Sequence, residues 1–241
     1  DYTNRGRIIT PLKDRFGSQI RTHYPLDVET ELAVVRQEAC LPEVEGLRID
    51  VPLFMDEIVA DITQLARRSP HINQRSGVSV RLSITNKETL VASAMRRALR
   101  AGESEVVPRI SDLDALAASI SGKVEIETIE EGRDEQVIDK IVKSAVLEVF
   151  RARCDVSALG ELVTAFNEGL VVDTGDDMAA DSYVEQIKAL PGISEAVSSL
   201  GVGETPASIA SAIELVLEGL HLSKRINKDA AGGRASYRGR G

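Results

Sequence analysis

The residues best suited to chemistry lie near the start of the chain, in Leu12-Lys13-Asp14-Arg15-Phe16. A guanidinium and a carboxylate sit side by side there, just ahead of a candidate strand. An arginine presented at a domain edge can reach a neighbour's γ-phosphate. Its fixed planar charge then stabilises the negative charge that spreads over a transferring phosphoryl group. The same residues also make a plain surface ion pair, Asp14 with Arg15 or Lys13, which is worth little. Spacing alone favours the ion pair.

Other catalytic signatures are missing. No GxxxxGK(S/T) phosphate loop occurs, and no GxGxxG, HExxH or GxSxG. Cys40 and Cys154 are far apart, as are His23, His71 and His221, so neither a disulfide framework nor a zinc site is expected. The acidic run Asp173, Asp176 and Asp177 lacks the spacing and the closing Glu of a calcium loop and reads as a solvated turn. No metal ligands are assigned.

Composition narrows the function classes. The 241 residues carry 38 acidic and 29 basic side chains, a formal charge of -9. That balance opposes nonspecific binding to nucleic acid or to an anionic membrane. Aromatics are 3% with no Trp, which removes the stacking platforms of a single-strand binder. Hydrophobic residues at 43% are enough for a real core. Apolar stretches fall well short of the roughly 20 residues of a membrane helix. With no leader pattern at the start, a cytoplasmic setting is expected.

The elements that must position Arg15 are mostly helical. Ile20 to Tyr24 is a short strand candidate closed by Pro25, which reads as the end of a sheet. Asp27 can cap a helix running to a stop near Pro42. Pro52 to Arg68 places Leu53, Ile58, Ile62 and Leu65 on one stripe, and a third helix follows Gly77 and breaks at Ala101-Gly102. A short helix from Ser111 ends at Gly122, and Val124 to Gly132 is ambiguous between strand and helix. Further helices are expected over roughly 134–153, 158–168, 179–189 and 206–220. Ala230 to Gly241, rich in Gly and Arg, reads as a flexible tail. The expected class is mainly α.

The run from Asn4 to Pro25 resembles the segment after the first sensor in AAA+ ATPases of the magnesium chelatase and MoxR-like group, where an L-x-D-R-F signature carries the arginine finger. Ser76-Gly77-Val78-Ser79-Val80-Arg81 resembles the group's second sensor at the start of a lid helix. The stretch from Met55 to Gln74 is similar to the lid ahead of it, and 108–127 and 214–228 are similar to bacterial magnesium chelatase-like ATPases. The resemblance implies the end of an α/β AAA+ core at 1–26, a helical lid at 27–121, a helical C-terminal region at 122–229 and the tail at 230–241. It implies that Arg15 acts in trans on nucleotide held by the next subunit of a homo-oligomeric ring. Arg81 would reach the γ-phosphate in cis, and Arg5 and Arg7 would line the interface or face solvent. A helix-start arginine paired with Glu88 is the plain alternative for Arg81.

ATP and Mg²⁺ would belong to a full-length motor that remodels a protein partner, such as the complex inserting Mg²⁺ into protoporphyrin IX. The family's Walker A loop, Walker B acid and first sensor are absent from these residues. The chain is therefore expected to be a C-terminal part of that motor, inactive alone. A non-catalytic helical interaction module with relic ATPase features is the reading from a different class.

Overall fold

The computed structural model describes residues 14–240, except 19, 21, 75 and 128–132. The chain is mainly helical, as its periodicity predicts. Asp27 caps α1 (Val28–Glu38), its side chain accepting from Thr30 N at 2.7 Å. Pro52 precedes α2 (Leu53–Arg68), which buries Ile58 and Ile62 and ends in two arginines that suit the negative end of the helix dipole. Helix α3 (Arg81–Ala101) starts after the β-branched Val78 and Val80 and stops at Gly102, whose φ of +70° is the left-handed cap. Two-residue strands β1 (Arg48–Ile49) and β2 (Glu105–Val106) pair in parallel beside it.

A 3₁₀ turn (Ile110–Ala115) leads into α4 (Leu116–Ser121), and α5 (Arg133–Arg153) follows. The ambiguous segment between them makes a single antiparallel bridge, Ile126 with Ile72. Next come α6 (Gly160–Asn167), β3 (Val171–Gly175), α7 (Ala180–Ile187), α8 (Ile193–Ser199) and α9 (Pro206–Leu222), then β4 (Asn227–Ala231) and β5 (Arg234–Arg238). Thr205 caps the buried α9, with Pro206 in its first turn.

Three expectations need correction. The Gly/Arg tail is a hairpin: β4 and β5 pair antiparallel, and β5 also pairs with β3. Gly232 and Gly233, at φ +60° and +80°, form the two-residue turn whose backbone matches strand twist. Asp173 accordingly lies in β3, opposite Ser236, and only the rest of the acidic run is a turn. At the other end, residues 20 and 22–24 are irregular, so the strand predicted at Ile20–Tyr24 is not formed there; a single extended segment has no partner to supply its hydrogen bonds.

One contiguous core runs from Phe54 through Ile138 and Phe150 to Tyr237, across the boundary expected near residue 121. Helices α2 and α5 form much of that junction. Arg153 pairs with Glu57 through Nε and Nη2. Asp61 in α2 is pushed up to about 6 by loss of hydration, then by the like charges of Glu148 and Glu57. Gly219 lets α9 pack closely on α5: a β-carbon there would fall 2.1 Å from the Phe150 ring.

Two outcomes follow for urea unfolding. Gly219→Ala lowers stability by about 1–3 kcal/mol through overpacking. Gly160→Ala, where a β-carbon meets nothing within 4 Å, is neutral or stabilising. A raised carboxyl binds its proton more tightly when folded, so Asp61 costs stability progressively as pH rises from about 4 to 6. Asp61→Asn therefore gains about 1–2 kcal/mol at pH 7, nothing below about pH 4, and flattens the profile between.

Candidate functional site

The loop between α2 and α3 carries the residues that resemble the second sensor, and one side chain holds it in place. Arg67, in the last turn of α2, donates to Glu31 of α1 through Nη1 (2.6 Å) and Nη2 (3.2 Å), and its Nε donates to Val78 O at 2.9 Å. Glu31 has no solvent exposure at all. Its second support is Ser83 of α3, which donates to Glu31 Oε1 at 2.7 Å and shares a hydrogen bond with Thr63 of α2. The guanidinium carbon also stacks 4.8 Å from the centre of the Tyr24 ring. Three helices, the loop and the N-terminal segment thus meet at one fork.

The rest of the loop is tied at both ends. Gln74 Nε2 reaches the carbonyls of Ala66, Ser69 and Ile72, covering the open C-terminal end of α2. Ser76 hydrogen-bonds Glu125, while Asn73 N donates to Glu125 O at 2.8 Å. Gly77 has φ +73°, and a β-carbon would lie 2.3 Å from the Tyr24 hydroxyl oxygen, so only glycine fits.

Arg81 emerges from this anchored loop as the first residue of α3, solvent-exposed. Among the described residues it has no ion-pair partner; Glu88, the alternative partner, instead accepts from Cys40 N at 3.0 Å. The first turn of α3 has no acidic residue. A cation at that end opposes the helix dipole by about 0.3–1 kcal/mol, so helix energetics alone do not call for it. Arg81 N and Leu82 N already donate to Ser79 Oγ (3.3 Å) and Ser79 O (3.0 Å), so an anion there would be met chiefly by the guanidinium.

Arg15 lies in an exposed turn with Asp14. Among the described residues its guanidinium has no salt-bridge partner, so the Asp14–Arg15 pair is not formed, while the Lys13 alternative lies outside the described residues. Arg5 and Arg7 lie outside the described residues. The fit to a nucleotide is partial: two free guanidinium groups suit phosphate oxygens, but no group of three His, Cys, Asp or Glu among the described residues converges to hold a cation.

Sequence reading missed a second buried network. Arg97 of α3 donates to Asp112 (3.0 Å) and to Val107 O (2.6 Å). Arg109, fully buried, donates to Met178 O at 2.8 Å and stacks over Tyr183. Glu103 accepts from Ala180 N at 2.7 Å, and Ser211 donates to Pro108 O. The segment 103–112 is thereby locked onto α7 and α9. Only the reciprocal bond of Arg109 N to Asp112, three residues on, had a local signature, that of a helix start.

Arg67→Ala leaves Glu31 buried without a countercharge and should cost about 3–5 kcal/mol in chemical denaturation. Arg67→Lys recovers only part of it, because a single ammonium cannot reproduce the fork onto Glu31 and Val78. The exposed pair Arg48–Glu105 provides the contrast: Arg48→Ala should cost under about 1 kcal/mol.

In comparison with known proteins, the chain matches no family model, no curated protein and no solved structure.

Proposed function

We propose that this chain is the arginine-finger, lid and helical C-terminal part of an AAA+ ATPase motor resembling the magnesium chelatase ATPase, coupling ATP hydrolysis in a ring to remodelling of a partner protein. The observation that carries the reading is Arg81, unpaired and exposed at the N-terminus of α3 on a loop held by Arg67, Gln74 and Ser76. On this reading Arg81 meets the γ-phosphate of its own subunit, and Arg15, exposed on its turn, meets that of the neighbour. Each neutralises charge that grows on the phosphoryl oxygens as the bond to the leaving group breaks. The remodelled partner is a complex that inserts Mg²⁺ into protoporphyrin IX, or another metal-cofactor or protein assembly.

The unbroken core from α2 to β5 supports a coupled output: a shift of α3 driven at Arg81 carries the C-terminal region with it. A second reading, a non-catalytic helical interaction module, draws support from Phe16, Ile20 and Leu26, which are 64%, 86% and 77% exposed. Apolar side chains clustered on one short segment are a partner's contact surface under either reading.

The intact mass of the native polypeptide in its source comes first, since the motor needs a nucleotide-binding core that these residues do not contain. In the ring so identified, Arg15→Ala should lower ATP turnover by about 10³-fold while ATP binding stays within a few-fold. Arg81→Ala should weaken the response of the lid to nucleotide as well as turnover. Turnover within a few-fold of the native ring in Arg15→Ala would remove the finger assignment. A native mass with no room for a core would favour the interaction module.

A further inference from the structure

One edge of the three-stranded sheet is covered and the other is open. At β3, Gln186 Nε2 donates to Asp173 O (3.3 Å) and the Tyr183 hydroxyl accepts from Gly175 N (3.2 Å), so α7 closes that side. At β4 the two-residue turn makes Ala231 and Arg234 a hydrogen-bonded pair. Alternation along the strand then turns the N–H and C=O of Lys228 and Ala230 away from β5. Among the described residues no group meets them. Exposed edges are ordinarily blunted by outward lysines or prolines. Here Lys228 is drawn inward instead, its Nζ on Glu218 Oε2 at 2.7 Å, and its neighbours toward the turn include Ala230 and Ala231. The edge is left unblunted.

The two faces beside this edge differ in character. Register puts Ala230 on the face of the buried Thr174, and Lys228 on that of Val172 and Tyr237. On that inner side a groove of about 290 Å³ runs between the sheet and α5, with Leu113, Val142 and Val146 on its apolar wall. Ala230 lines the groove yet is exposed, since a lone methyl does not cover the wall. The outer face carries Asp173, Asp177 and Asp229 against Arg234 and Arg238, so carboxylates are in surplus there. An added strand would therefore meet an apolar hollow on one side and negative charge on the other.

We propose that β4 takes up an extended segment of a partner protein as a fourth, antiparallel strand, with an apolar side chain opposite Ala230 and a basic one opposite Asp229. The free backbone groups of Lys228 and Ala230 supply the binding, while the groove and Asp229 supply the selectivity. Asp229 falls between the two bonded pairs, where facing side chains approach most closely and an opposite charge counts most. A second copy of the chain fits less well. Two-fold pairing about Lys228 or Asp229 sets each against its own like charge, and about Ala230 only residues 229–231 pair before the turn. Neither Arg15 nor Arg81 borders this edge, so the docking is independent of the motor reading.

The test is titration of the isotope-labelled full chain with acetyl-Thr-Leu-Arg-Val-Thr-amide, followed by amide NMR; in this peptide Leu is set to meet Ala230 and Arg to meet Asp229. Saturable shifts centred on the Lys228 and Ala230 amides are expected. N-methylation at the peptide's Leu or Val, whose N–H groups face β4, should weaken binding about ten-fold, whereas N-methylation at Arg leaves it nearly unchanged. Replacing the peptide's Arg by Glu should also weaken it about ten-fold. Ala230→Pro should fold yet lose the peptide, because that N–H bonds nothing within the described chain. If the shifts do not saturate, if the N-methylated peptides all bind alike, or if Ala230→Pro binds like the native chain, the proposal is wrong. A dimer in sedimentation that Ala230→Pro dissolves would assign the edge to a second copy and overturn it as well. Should Ala230→Pro fail to fold, the N-methylated peptides, titrated against the native chain, decide alone.

Discussion

A carboxylate with no exposure to water can persist only while its countercharge stays in place, and Glu31 is such a group. Its partner Arg67 comes from the next helix, and Ser83, its second donor, from the one after. The three helices α1, α2 and α3 can therefore take few relative positions without stranding a charge. Net stability from such a pair is small, because desolvation offsets much of the Coulomb attraction. What the pair imposes is geometry. The nitrogen left over from the fork fixes Val78, and through it the start of α3 and the direction of Arg81.

The same logic recurs at the other end of α3. Arg97, Glu103, Arg109 and Asp112 are buried or nearly so, and their bonds run onward to Met178 and Ala180. Apolar packing would have filled that junction with less cost, but it slides more freely than directional bonds do. Lys87, buried against Asp56 and held below the usual range for an ammonium by loss of hydration, adds a second cross-link between α2 and α3 beside Ser83–Thr63. Helix α3 is thus clamped at both ends, and α5 at its C-terminal end through Arg153 and Glu57.

Much of the helical framework was legible because its signals are local. Asp27, Pro52 and Gly102 each mark a helix end by their own chemistry, and the structure uses all three. The hairpin was legible too: Gly232-Gly233 between two five-residue runs is a turn signal, and weighing it as low complexity hid the strands. Strand β3 had no such flag, since its neighbour in the sheet comes 59 residues after Gly175, at Arg234. The buried charges were illegible for a related reason. Glu31, Glu214 and Glu218 look like solvent-facing helix residues until partners 36, 31 and 19 residues away, Arg67, Tyr183 and Tyr237, come into view.

In the three-stranded sheet the central strand, β5, follows both of its neighbours in the chain. Ribosomes emit polypeptides from N- to C-terminus, so β3 and β4 emerge before the strand that joins them exists. Until Arg234 to Arg238 appear, β3 has no ladder to enter, and Glu218 Oε2 lacks the Tyr237 hydroxyl that donates to it beside Lys228. Helix α9 must wait with one of its buried charges half-satisfied. Completion of the fold is therefore timed by the end of synthesis of this hairpin, and a chaperone that shields the waiting face would act in that interval.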